Sequence, residues 1–179
     1  MAPDSRAPAM KKLYAVLFAA IVALGLTAAG FMVASGDGKE KEFKAKLTGF
    51  QETPAISTTG SGTFKARLSE DGTSLSFTLT YSGLETNALF AHIHLGQKGV
   101  AGGVSAFLCG GGGKPDCPAR SGTVTGTITA SDVIGPTGQG IAAGEFAELI
   151  RAMRAGVTYA NVHSTMFPAG EIRGQIKDD

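Results

Sequence analysis

Three histidines are the residues of this 179-residue chain best suited to chemistry, and two of them stand together in "AHIHLGQKG", Ala91 to Gly99. His92 and His94 are two apart. Residues i and i+2 of a strand point to the same face, so their imidazoles project together. The third, His163, lies far along the chain in "VTYANVHS", on a face shared with Tyr159 and Asn161. If the two strands are neighbours, three imidazoles converge. Three neutral imidazoles with an open fourth position suit one zinc or copper ion. The competing reading is three surface or hydrogen-bonded histidines, since no carboxylate stands beside them in the sequence.

Other chemistries fail on their motifs. There is no GxSxG elbow, and "LGQKGVAGG" has the glycines of a phosphate loop without a helix after it. Glu52, Glu85, Glu145 and Glu171 read as turn or surface residues, so no acid pair for glycoside hydrolysis can be assigned. The formal net charge of +1 gives no electrostatic basis for a nucleic-acid partner. Cys109 and Cys117 flank "GGGGKPD". They read as a small-loop disulfide of an oxidising compartment, because two cysteines without CxxC spacing make a poor metal site.

The elements that must position these residues are short strands. "FKAKLTGF", "TFKARLS", "SLSFTLTY", "ALFAHIHLG", "GVSAFLC", "GTVTGTITA", "VTYANVHS" and "EIRGQI" alternate or carry strand formers, with turn residues between them. One segment breaks the pattern. "GEFAELIRAMRAG" sets Phe146, Leu149, Ile150 and Met153 at helical spacing, with Gly156 as its stop, and reads as a helix capping an open end of the β structure. About eight short strands with hairpin turns and one helical insert point to an all-β, antiparallel two-sheet Greek-key β-sandwich.

The domain so read covers residues 43–179, after a charged linker at 35–42, "SGDGKEKE". Before it, Leu13 to Ala34 is a 22-residue run without charge, preceded by Lys11 and Lys12. As a hydrophobic helix it would span about 33 Å, the thickness of a bilayer core. Residues 1–34 are therefore expected to be a signal peptide or a membrane anchor, and "MKKLYAVLFAA" from Met10 is itself a bacterial-type signal start. The domain is expected outside the cytoplasm, secreted, periplasmic or tethered through 13–34. Residues 35–179 carry 13 basic and 14 acidic side chains, a formal charge of −1, so no single sign dominates.

"LTGFQETPAISTTGSGTFKARLSEDGTSLSFTLTYSGL", "AHIHLGQKGVAGG" and "VTYANVHSTMFPAGEIRGQI" together resemble the CHRD domain, the module named from chordin, over about Phe43 to Lys177. The resemblance implies an exported β-sandwich. In chordin the module belongs to a protein that binds signalling ligands, while lone bacterial copies have no settled activity; the first reading of this chain is a non-enzymatic binding or structural role toward an extracellular or envelope ligand. Two features depart from a minimal copy: the "CGGGGKPDC" loop and the insert from about Ser131 to Gly156.

A weaker likeness is to copper/zinc superoxide dismutase, which has an H-x-H strand, a later V-H strand and an arginine near its C-terminus. That likeness implies metal ligation by His92, His94 and His163, with Arg173 guiding an anion. No histidine remains to bridge two metals, and the zinc-ligand loop is missing, so a two-metal dismutase is excluded. A single copper or zinc ion, with or without redox activity, is the alternative function.

Overall fold

The cleanest alternation in the sequence makes the cleanest strand. In β3, Leu75–Ser82, Leu75, Phe77, Leu79 and Tyr81 are buried while the residues between them face outward. The computed structural model describes residues 42–179. The expected signal or anchor at 1–34, and nearly all of the linker, lie outside the described residues. Among the described residues no helix is long and apolar enough to cross a membrane.

The other strands are β1 (Glu42–Thr48), β2 (Ser61–Leu68), β4 (Ala88–Leu95), β5 (Gly103–Cys109), β6 (Gly122–Ile128), β7 (Thr158–Ser164), β8 (Ile172–Gln175) and the two-residue β9 (Lys177–Asp178). The eight expected strands are present, and β9 is an addition. All pairings are antiparallel, as expected. The strands run in the order β5-β4-β7-β8-β1-β2-β3-β6, with β9 against β1. The anticipated pair of sheets therefore takes the form of one continuous hydrogen-bonded path. It curls until its end strands, β5 and β6, meet, close to a barrel.

Inside lies one core, built from the inward faces of these strands. Phe43 and Leu47 of β1, Phe64 of β2, Ile93 of β4, Leu108 of β5, Ile128 of β6 and Val162 of β7 are all essentially inaccessible. The helix α1, Phe146–Arg154, buries Phe146, Leu149, Ile150 and Met153 in the same core. Its end is a Schellman turn. Gly156 has φ +67°, its N–H donates to Met153 O, and Val157 N–H donates to Ala152 O. The helix is the expected cap, and the stop falls where the glycine predicts it.

The two departures from a minimal copy support each other. Cys109 and Cys117 are bonded, with Cα atoms 5.1 Å apart. Within that loop Lys114 pairs with Asp132 of the insert at 2.7 Å and donates to Thr127 O at 2.8 Å. The bridge closes only an eight-residue separation. On loop entropy it stabilises by about 2–3 kcal/mol, a small contribution set by its short span. Reduction with dithiothreitol should leave one cooperative unfolding transition and raise hydrogen exchange only around residues 109–121. Global unfolding under mild reduction would show that the core depends on the bridge.

Candidate metal centre

The side chains of β7 are buried on both faces of the sheet. Ala160 and Val162 face the core, while Tyr159, Asn161 and His163 face the other way and are buried as well. The strands beside β7 explain which residues join them. On one side β4 pairs His92 with Asn161 and His94 with Tyr159; on the other, β8 pairs Arg173 with Asn161. The register thus collects His92, His94, Tyr159, Asn161, His163 and Arg173 on one polar face. Two irregularities in the pairing of β4 with β5, at Ala91/His92 and Ile93/His94, flank the histidines. Bulges of this kind re-aim side chains next to functional sites.

The three histidines are brought together. One ring nitrogen from each lies within 4.8 Å of the others. Tetrahedral zinc with bonds of about 2.0–2.1 Å sets nitrogens about 3.4 Å apart, so small ring movements bring the three nitrogens to ligand spacing once the His92 proton moves from Nδ1 to Nε2. His92 Nδ1 and His163 Nε2 are already 3.2 Å apart. All three histidines are buried. Phe90 and Phe107 wall the cluster, with ring centroids 4.8 Å from His163 and 4.4 Å from His92 respectively.

Backbone carbonyls fix the tautomers. His94 Nδ1 lies 3.0 Å from Gly102 O, and His163 Nδ1 lies 3.0 Å from Pro168 O. A carbonyl only accepts, so each Nδ1 carries the proton and each Nε2 keeps a lone pair. His163 Nε2 receives the Nδ1–H of His92. His94 Nε2 is buried with no partner. A metal-ligating histidine characteristically donates its other ring N–H to a carbonyl, which aims the free nitrogen. Gly102 is required for this: a Cβ there would lie 1.7 Å from Leu95 O.

Loops roof the face. Arg173 is 2 % exposed, and its Cζ lies 3.4 Å from the centroid of Tyr159, the ring that stacks on His94. Its guanidinium donates to Gln97 O and Val100 O at 3.0 and 2.9 Å and to Thr53 Oγ1 at 3.4 Å. It therefore holds two loops down. Asn161 donates to Glu52 Oε1 at 2.6 Å and to Ile172 O at 2.9 Å.

Two residues read from sequence as turn or surface acids are corrected here. Glu52 is drawn into the roof, and burial pushes its carboxyl up to about 7 against the opposing Asn161 hydrogen bond and Arg173 charge. Glu171 is fully buried, accepting from Thr58 Oγ1 at 2.7 Å and Glu85 N at 2.8 Å, while its Oε2 has no partner. The alternation of "EIRGQI" places Glu171 on the face of Arg173, and that signal could have found it.

A continuous antiparallel β structure with one helix, a short disulfide loop and a roofed polar face defines an all-β module with a candidate mononuclear centre. The chain belongs to the CHRD family: the family model "CHRD domain" matches residues 43–176. No curated protein and no solved structure matches it.

Desolvation holds the imidazoles neutral. It lowers His92 to about 3, with the neighbouring His163 and His94 adding to the effect, and His163 to about 4. His94 is lowered by burial too, partly offset by its bond to Gly102. In the metal-free protein the unfolded chain then binds protons below about pH 6.5 that the folded chain refuses, so stability falls on acidification from about 6.5 toward 4. Glu52 has the opposite sign. Its folded value lies above its unfolded one, so its contribution is full below about 4.5 and lost as pH rises through 7. With chelator present, denaturation midpoints should fall between pH 6.5 and 4.5, and more steeply in Glu52→Gln. Midpoints flat over that range would contradict the burial of the imidazoles.

Proposed function

We propose that this protein is an exported CHRD module carrying one copper or zinc ion on His92, His94 and His163, and that it serves as a binding rather than a catalytic domain. The observation that carries the reading is the buried, partnerless Nε2 of His94 beside the nitrogens of His92 and His163, all within 4.8 Å. An orphaned buried acceptor costs about 1–3 kcal/mol, and a metal ion removes that cost for a lone pair already aimed.

Export is supported by two independent features. One is the uncharged run from Leu13 to Ala34 after Lys11 and Lys12. The other is the Cys109–Cys117 bridge, a bond that persists in oxidising compartments. Residues 13–34 are then either removed or kept as the tether, and the partner is an extracellular or envelope ligand. The placement of Arg173 favours the binding role. With three acceptors already on its guanidinium, it stiffens the roof and leaves no cation free to draw an anion to a redox metal.

The test is metal content. Protein purified without a histidine tag and offered copper and zinc in turn should hold close to one equivalent of one of them. His94→Ala should abolish this. Gly102→Ala keeps all three ligands but pushes away the carbonyl that orients His94, and should weaken affinity by 10–100-fold. Less than a tenth of an equivalent after both metals have been offered would overturn the reading.

A further inference from the structure

A second site of different chemistry lies on the outer face of β9, β1 and β2. The register sets Lys177 opposite Lys44, and Lys44 opposite Lys65. Strands lie about 4.8 Å apart, so three lysines stand in a row across three strands. Like charges directly opposite one another destabilise a sheet. Lys46 follows two residues along β1. Lys98 enters from the loop that Arg173 holds down, and together these five lysines line one groove of about 690 Å³.

Lys44 is paired with Glu42 and Asp179. Asp178 and Asp179 lie on the same groove and offset part of the charge. Among the described residues, Lys46, Lys65, Lys98 and Lys177 have no carboxylate within ion-pair distance. Residues 35–179 as a whole have a formal charge of −1, so the row is a local concentration and not the spill-over of a basic protein.

The lining selects among polyanions. A groove of this volume is in the range of ligand sites. It offers no exposed aromatic ring on which bases would stack, since its one aromatic, Phe64, is fully buried. It is concave and presents no exposed apolar side chain to enter a bilayer. What it does offer besides lysines is neutral hydrogen-bonding groups, Gln51 and Thr63. We propose that this groove binds an acidic polysaccharide. The carboxylate, sulfate or phosphate groups of the chain would sit on the lysine row, with sugar hydroxyls against Gln51 and Thr63. The site is separate in chemistry from the three histidines and needs no metal.

The experiment uses the full chain in a neutral detergent, with fluorescent dextran sulfate and polygalacturonate as probes. Binding at 50 mM salt should weaken as salt rises and should not change with chelator. Lys65→Ser combined with Lys98→Ser should lower affinity at least tenfold. The equally charged loss Arg151→Ser with Arg154→Ser on α1 should change it less than twofold. If the groove pair unfolds the protein, Lys46→Ser alone should lower affinity about threefold. No binding of either probe by the wild type, or equal losses in the groove and helix variants, would overturn the proposal. So would lysine-dependent binding of phosphatidylglycerol vesicles or single-stranded DNA without binding of either polysaccharide.

Discussion

The structure turns on a strand that is polar and yet covered. One face of β7 belongs to the core, as any inward strand face does. The other carries Tyr159, Asn161 and His163 and is also shut off from water. Buried polar groups must find partners or they cost stability, so this face dictates what lies over it. The loops around residues 49–60, 96–102 and 165–170 supply the partners. Gly102 and Pro168 accept from histidines, Glu52 accepts from Asn161, and Arg173 joins the first two loops through Thr53, Gln97 and Val100.

The proposed metal centre follows from that constraint. The roof does more than shield the imidazoles: it accepts hydrogen bonds at Nδ1 of His94 and His163 and so turns their Nε2 lone pairs toward one point. Burial then keeps all three rings neutral, the form a metal requires. Orientation and protonation state thus have the same cause, the covering of a polar sheet face by carbonyl-bearing loops. The lysine groove illustrates the contrast. It lies on an uncovered face, where long charged side chains stay solvated, and its proposed ionic partner would come from outside.

Much of the fold was legible because strand alternation and helical spacing are local. Leu75, Phe77, Leu79 and Tyr81 announce β3, and Phe146, Leu149, Ile150 and Met153 announce α1 and its buried stripe. That His92 and His94 share a face is equally local. Their meeting with His163 is not, because β4 and β7 pair across about 70 residues of sequence and no periodicity states which strands are neighbours. The same limit hides the continuity of the sheet. It also hides the burial of Glu52, whose turn-forming neighbourhood reads as surface until Asn161 and Arg173 are known to lie beneath it. The contacts of Arg173 were not legible either, since they depend on two loops meeting over it.

The measurement closest to the central claim is the tautomeric state of the histidines in the metal-free protein, read from long-range proton–nitrogen correlations of ¹⁵N-labelled rings at pH 7. The account predicts neutral rings throughout, with His94 and His163 protonated at Nδ1 and bare at Nε2. Protonation of either residue at Nε2, or an imidazolium at any of the three positions, would contradict it.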